Sequence, residues 1–146
     1  MEKLFLIENL APFLEIYKGH YIDRPDVAII WMAGYLSSAK RLIIKKLLQN
    51  KKVPVFIWSD IDADGILLAN DAIRYVNSLG CLCSPVLMTE NEVRLTQGKY
   101  KGSRMISPHN DIEPVFSGII SEIEKGLAME QEELFLHYKY VEAFLP

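Results

Sequence analysis

Three acidic side chains follow predicted strands and could act together on a metal ion. Glu8 comes directly after the apolar run 3–7, and Asp60 and Asp62 follow the run 53–58. Carboxylates gathered at one place repel each other unless a divalent cation neutralises them. Oxygen ligands suit Mg²⁺ or Mn²⁺, and phosphate oxygens commonly complete the shell of such an ion. The three residues therefore predict metal-assisted chemistry on a phosphodiester.

The apolar runs around these residues predict a parallel α/β sheet. Residues 27–33 and 81–88 predict two further strands, and segments with helical spacing separate the strands. Strands that alternate with helices of this length indicate βαβ crossovers, and hence a central parallel sheet of about four strands flanked by helices. The carboxyl ends of such strands share one edge of the sheet, where ligands bind. We expect the three carboxylates to meet there.

Local patterns predict the elements between the strands. Residues 10–17 predict a short helix and residues 17–26 a loop. A second helix follows Gly34 and ends near Asn50. The residues predicted to form its buried stripe are Leu36, Ala39, Ile43 and Leu47. After Asp64, a third helix is expected up to Gly80.

The second half of the chain is less regular. Residues 89–111 predict a long polar loop, and residues 112–125 predict a last helix. The side chains predicted to face inward from that helix are Val115, Phe116, Ile119, Ile120 and Ile123. We expect a core over residues 1–90, with residues 91–146 forming a loop and a C-terminal helical extension packed on the same domain.

Other interpretations of the acidic residues stay open. Glu8 could simply face solvent, and Asp60 or Asp62 could cap a helix or stabilise a loop. The segment 60–65 also matches the front of an EF-hand calcium loop, with Asp71 at the twelfth position. A β-rich run precedes this segment, however, where an EF-hand needs a helix. In the magnesium interpretation, Asp64 caps the following helix or lies beyond the direct metal ligands.

Composition indicates one globular domain with no excess of positive charge. The chain has 146 residues, 50% of them hydrophobic, and a net charge of −3, which is unusual for a free-standing nucleic-acid-binding protein. We find no signal peptide and no membrane span, and we expect a cytoplasmic protein. Cys81 and Cys83, two residues apart in one predicted strand, are expected to be reduced core thiols.

Any contact with DNA must therefore rely on local positive charge. Two groups of basic residues provide it, one at positions 40–52 and one at positions 94–104. The alternative for the first group is the solvated face of an amphipathic helix. The residues predicted to contact DNA are Lys40, Arg41, Lys99, Lys101 and Arg104.

A Glu after the first strand, a Gly after the second and an Asp-x-Asp after the third form an ordered arrangement. This order resembles the Toprim domain of topoisomerases, bacterial primases and overcoming-lysogenization-defect nucleases. Within that group, the sequence is most similar to the C-terminal domain of JetD, the nuclease subunit of Wadjet anti-plasmid systems. The segments that carry the resemblance span nearly the whole chain and are Ile7-Glu8-Asn9-Leu10 with Phe13, Gly34, Trp58-Ser59-Asp60-Ile61-Asp62-Ala63-Asp64-Gly65, Leu87-Met88 and Glu130-Gln131-Glu132.

The resemblance implies a Toprim (Rossmann-like) fold and metal-dependent cleavage of double-stranded DNA. The resemblance implies that Glu8, Asp60 and Asp62 are catalytic and metal-binding residues. Glu130 and Glu132 are carried over as family signature positions that could approach a second metal. The implied partners are duplex DNA, an SMC-like ATPase complex, a second copy of the chain, and the N-terminal arm domain that precedes the first motif strand in such proteins.

Two positions depart from the pattern of these relatives. The segment 33–35 is poorer in glycine than expected, and Ala63-Asp64 stands where relatives often have Thr-His. One alternative function is therefore a catalytically inactive Toprim domain that serves for docking or for sensing DNA. Another is a fragment of a topoisomerase or primase, although no nucleophilic tyrosine or nucleotide-binding segment is identifiable in the sequence.

Overall fold

A computed structural model describes residues 1–96, 99–100 and 111–145. Its centre is a parallel sheet of four strands in the order β2-β1-β3-β4. The strands are β1 (Lys3–Ile7), β2 (Val27–Trp31), β3 (Val55–Trp58) and β4 (Cys83–Pro85). The central strand β1 is fully buried from Leu4 to Ile7, as expected for a strand covered on both faces.

Helices follow the strands as βαβ crossovers require. They are α1 (Leu10–Ile16), which continues as a π-helical turn (Tyr17–Tyr21), α2 (Ser38–Gln49), α3 (Ala63–Ser78) and α4 (Glu90–Thr96). The prediction of an α/β fold with a four-stranded parallel sheet flanked by helices, as in Toprim and other Rossmann-like domains, is confirmed. No helix among the described residues is long and apolar enough to cross a membrane.

The chain after α4 returns to the carboxyl edge of the sheet. Its elements are β5 (Lys99–Tyr100), a 3₁₀ turn (Pro114–Phe116), α5 (Ser117–Glu124), β6 (Leu127–Ala128), α6 (Gln131–Leu134), a second 3₁₀ turn (Phe135–His137) and α7 (Tyr138–Phe144). Just after β6, Met129 exchanges two backbone hydrogen bonds with Ile61, of 2.8 and 2.9 Å. This bridge places α6 beside the ends of β1 and β3.

The buried face of α2 differs from the prediction. Ile44 and Leu48 are fully buried, whereas Ile43 and Leu47 are 51% and 37% exposed. Within the helix the predicted stripe was therefore wrong by one residue, because two adjacent apolar stripes run along α2 and periodicity alone does not choose between them. Leu36, which precedes the helix, is buried as predicted.

Several element boundaries also differ from the sequence-based ones. Residues 17–21, predicted to belong to a loop, form the π-helical turn, and the fourth strand covers only Cys83–Pro85 of the predicted run 81–88. The predicted loop 89–111 contains α4 and β5. Val115, predicted to face inward, is 58% exposed because it lies in a 3₁₀ turn rather than in α5. Cys81 and Cys83 are buried free thiols, as predicted.

Candidate metal centre

Glu8 and Asp60 come together because they follow adjacent strands. The register of β1 and β3 pairs Ile7 with Trp58, so the residues that follow leave the same edge of the sheet. The backbone N–H of Asp60 donates to Oε2 of Glu8 over 3.0 Å. On the other side of β1, the backbone N–H of Ala33 donates to the carbonyl oxygen of Glu8. Glu8 is therefore held between the ends of both neighbouring strands.

The loop after β3 folds tightly around Gly65. A Cβ atom on Gly65 would lie 2.2 Å from the carbonyl oxygen of Asp60, so only glycine fits there. The buried hydroxyl of Ser59 donates to the carbonyl oxygen of Gly65 over 2.9 Å. Oδ1 of Asp62 accepts from the N–H of Gly65 over 2.7 Å, which makes Asp62 the N-cap of α3. The cap was predicted at Asp64; the helix instead begins at Ala63, two residues earlier than expected.

The segment that begins α6 completes the site. The side-chain amide nitrogen of Asn9 donates to Oδ1 of Asp60 over 3.0 Å and to Oε2 of Glu132 over 3.2 Å. The backbone N–H of Gln131 donates to the same oxygen of Asp60 over 2.7 Å. Asn9 therefore joins two carboxylates that lie 72 positions apart in the chain, at residues 60 and 132.

The four carboxylates share one pattern of hydrogen bonding. Glu8, Asp60, Asp62 and Glu132 each have one oxygen that accepts from a protein N–H. The second oxygen of each carboxylate accepts no hydrogen bond from any described residue. Hydrogen bonds of this kind orient the carboxylates that bind metals and leave the other oxygen for the ion.

Burial and mutual repulsion disfavour the charged forms of two of these groups. Burial raises the pKa of Glu8 from 4.5 to about 7, against the lowering effect of the N–H of Asp60, and repulsion by Asp60, Asp62 and Asp64 adds to the rise. Burial likewise raises the pKa of Asp60 from 3.8 to about 6, although the N–H groups of Gln131 and Asn9 oppose the shift. A bound cation would remove this cost because it favours the ionised forms.

The donor set fits a hard divalent cation that keeps much of its water. Within residues 1–96 and 111–145, no three His, Cys, Asp or Glu side chains are arranged to hold one ion together. At most two of these carboxylates could therefore bind one ion directly, and one or two is the number of carboxylates that Mg²⁺ commonly takes from a protein. Such an ion leaves coordination positions for water and for phosphate oxygens.

The structure separates the two glutamates of the predicted Glu130/Glu132 pair. The side-chain amide of Asn9 donates to both Glu132 and Asp60 and so links the two carboxylates. The charge of Glu132 is one of those that raise the pKa of Asp60. Glu130 instead forms a reciprocal capping box with Glu133, whose Oε2 accepts from the N–H of Glu130 over 3.1 Å. Glu130 thus stabilises the start of α6, and Glu132 faces the site.

The predicted DNA contacts lie in different settings. The ammonium group of Lys40 donates to the carbonyl oxygen of Met32 at the end of β2. The guanidinium of Arg41 makes two bonds to Asp71, of 2.6 and 2.8 Å, and lies over the ring of Tyr75, so it joins α2 to α3. Lys99 belongs to β5, and Lys101 and Arg104 lie outside the described residues. Contact of these residues with DNA stays a prediction.

Sequence reasoning missed Asn9 and Gln131. Neither side chain ionises, so neither appears in a search for metal ligands or acid–base groups. Asn9 could have been noticed because it directly follows Glu8 at a strand end, where polar side chains converge. Gln131 lies in the segment Glu130-Gln131-Glu132 that carries the family resemblance, but no local pattern indicates its role, since its partners Asn9 and Trp58 lie 122 and 73 positions away.

The structure also bears on the calcium-loop alternative. The element before Asp60 is strand β3, and α3 begins at Ala63, inside the would-be loop. Asp71, which would be the twelfth ligand, pairs with Arg41. An EF-hand requires a helix on each side of a 12-residue loop, so this segment is not one.

One comparison with known families gives a match that covers nearly the whole chain. The family model described as "Wadjet protein JetD, C-terminal" matches residues 1–141, nearly the whole chain. No curated protein matches the chain. The matched range includes β1, the Asp60 loop and α6, which are the three segments that build the acidic centre. The chain therefore belongs to the family of the C-terminal part of the Wadjet protein JetD.

Proposed function

We propose that this chain is the catalytic domain of a Mg²⁺- or Mn²⁺-dependent endonuclease that cleaves duplex DNA within a Wadjet defence system. The observation that carries the proposal is the set of four carboxylates at one edge of the sheet, each with one oxygen tied by a protein N–H. No described cationic side chain forms a salt bridge with any of the four carboxylates. A bound metal cation would therefore balance their negative charge. Membership of the JetD family supplies the defence context.

The residues of the acidic centre would have different roles in hydrolysis. Asp60, Asp62 and Glu132 would hold the ion, directly or through its waters, with their open oxygens. A bound Mg²⁺ would polarise the phosphate and lower the pKa of a water molecule. Glu8 would take a proton from the attacking water at Oε1 or bind the ion there. Asn9 keeps Asp60 and Glu132 oriented throughout.

DNA binding is assigned to basic residues outside the acidic centre and to partners. Because the chain carries a net charge of −3, it should bind DNA weakly by itself. We assign DNA binding to Lys40, Arg41, Lys99, Lys101 and Arg104, together with an N-terminal arm domain, an SMC-like ATPase complex and a second copy of the chain. The proposed setting is the cytoplasm, where plasmid DNA is the substrate.

Cleavage of a plasmid by the protein assembled with its partner ATPase tests the nuclease activity. Mg²⁺ or Mn²⁺ should support linearisation, and EDTA should stop it. Asp60→Ala, Asp62→Ala and Glu8→Gln should each lower the rate by orders of magnitude while the circular dichroism spectrum stays unchanged. Glu124→Gln, on the exposed side of α5, is the matched control and should cleave like the wild type.

The opposite result would favour the docking module instead. If Glu8→Gln and Asp62→Ala linearise plasmid as the wild type does, the catalytic assignment is wrong. A domain that binds its partners but shows no metal-dependent cleavage in any assembly would also favour the docking function.

DNA contact has a separate test in the salt dependence of binding. Lys40→Glu and Lys101→Glu should each weaken binding to any duplex sequence and reduce the slope of log K against log salt by about 1. The rate of cleavage at saturating DNA should change little, which separates these residues from the acidic centre.

A further inference from the structure

We infer that Gln131 is a positioning residue of the acidic centre, which sets the places of Asp60 and Glu132 by tying α6 to the ends of β1 and β3. The inference rests on the proposed metal-binding function of that centre. Gln131 never contacts the ion in this assignment. It acts through the backbone of Asn9, through the carbonyl of Trp58 and through its own N–H.

The side chain of Gln131 is completely buried and uses both ends of its amide. Its Oε1 accepts from the backbone N–H of Asn9 over 2.8 Å, and its Nε2 donates to the carbonyl oxygen of Trp58 over 3.1 Å. That carbonyl also accepts from the backbone N–H of Glu8. One amide therefore spans the ends of two neighbouring strands, at Asn9, which follows Glu8, and at Trp58, two positions before Asp60.

The chemistry of the two contacts selects glutamine. The N–H of Asn9 needs an acceptor, and the carbonyl of Trp58 needs a donor. Only an amide provides both on one planar group, since glutamate offers acceptors alone and methionine offers almost no hydrogen bonding. A glutamate here would also place a negative charge next to Asp60, whose Oδ1 already accepts from the backbone of residue 131.

The position of Asn9 transmits the effect to the carboxylates. Because Gln131 holds the backbone of Asn9, the amide of Asn9 reaches Asp60 and Glu132 together. Loss of the Gln131 side chain should free Asn9 and widen the distribution of positions that the two carboxylates adopt. The ion would then lose oriented ligands even though no ligand had been removed.

Titration of the wild-type chain and two variants with Mn²⁺, followed by electron paramagnetic resonance, tests the inference. Gln131→Met removes both side-chain bonds at similar volume, and Gln131→Glu removes the donor alone and adds a charge. Each should weaken Mn²⁺ binding by about 10–100-fold, the usual effect of losing a residue that orients metal ligands. Tyr140→Phe is the matched control: it removes a 2.5 Å hydrogen bond to the buried Glu92, away from the centre, and should bind Mn²⁺ like the wild type.

A second measurement needs no metal and separates this inference from the proposed function. In ¹⁵N spectra of the metal-free chain, the side-chain amide resonances of Asn9 should move toward unstructured values in Gln131→Met and stay in place in Tyr140→Phe. Unchanged Asn9 resonances, or unchanged Mn²⁺ affinity, in Gln131→Met would overturn the positioning role. If the wild type binds no Mn²⁺ while Gln131→Met still releases Asn9, the metal function fails and the positioning role stands.

Discussion

Asp60 holds Glu8 with its own backbone: its N–H donates to Oε2 of Glu8 over 3.0 Å, across the boundary between β1 and β3. The bond lowers the pKa of Glu8, but burial, which is the larger effect, and three neighbouring aspartates still raise it to about 7. The two residues thus share one local environment, and the protonation of one affects the other. In the proposed metal centre, acid–base behaviour and metal binding would therefore be linked.

Stability of the metal-free chain should depend on pH because of Glu8. Its pKa rises from 4.5 to about 7 on folding, with burial as the main cause, so between these values the folded chain holds a proton that the unfolded chain has released. The stabilising contribution is full below about pH 4.5 and is lost as pH rises through about 7. Denaturation by urea in EDTA should show a lower free energy of unfolding at pH 8 than at pH 5.5.

Two comparisons check the origin of that pH dependence. Glu8→Gln should reduce it, because the amide carries no charge at either pH, and the raised pKa of Asp60, about 6, should account for part of what remains. Mg²⁺ should raise the melting temperature of the wild type more at pH 8 than at pH 5.5, since protonated carboxylates are poor ligands. Equal Mg²⁺ effects at the two pH values would argue against binding at this site.

Glu132 and Glu130 should differ in their effect on metal binding. Glu132→Ala removes an open oxygen beside Asp60, so affinity for Mn²⁺ should fall about tenfold or more. Glu130→Ala removes part of a capping box, so it should cost about 1 kcal/mol of stability and leave the affinity unchanged. Calorimetric titration of both variants provides the measurement, and the reverse order of affinities would exchange the two roles.

Gly65→Ala should damage the site and the fold together. The new Cβ would meet the carbonyl oxygen of Asp60, a backbone atom that moves only with the loop itself. We expect a loss of about 1–3 kcal/mol in the free energy of unfolding, as for other overpacked positions, and weaker Mn²⁺ binding. Gly118→Ala is the control, because its Cβ would lie 3.6 Å from Oε1 of Glu90, an ordinary contact, in helix α5. Thermal melts that rank the two variants equally would contradict the prediction.

Arg41 should contribute to stability through its contacts with α3. Arg41→Gln removes a bidentate ion pair with the half-buried Asp71 and a cation–π contact with Tyr75, which together are worth about 1–2 kcal/mol. Lys45→Gln, one turn further along α2 and exposed, should change stability by less than about 0.5 kcal/mol. Urea denaturation compares the stability of the two variants. Filter binding to duplex DNA shows whether Arg41 also contributes to DNA binding.

The sequence predicted the parts of the molecule that depend on local pattern. Continuous apolar runs identified β1 and β3, and the acidic residues within two positions of their ends identified Glu8 and Asp60. The buried face of α2 was not predictable in the same way, since Ile43 and Ile44 are equally apolar and only the packing of the helix against the sheet and α3 distinguishes them. Gln131 was out of reach because its role comes from contacts between distant segments.

The bridge between Ile61 and Met129 has a consequence for how the acidic centre forms during synthesis of the chain. Ribosomes synthesise a chain from its N-terminus, and segments can begin to fold as they emerge. The four-stranded sheet is complete once residue 85 is available, whereas Gln131 and Glu132 arrive more than forty residues later. A growing chain can therefore hold a folded sheet while its acidic centre is unfinished. In the proposed nuclease, competence for cleavage would therefore come only after Glu132 has been added to the chain.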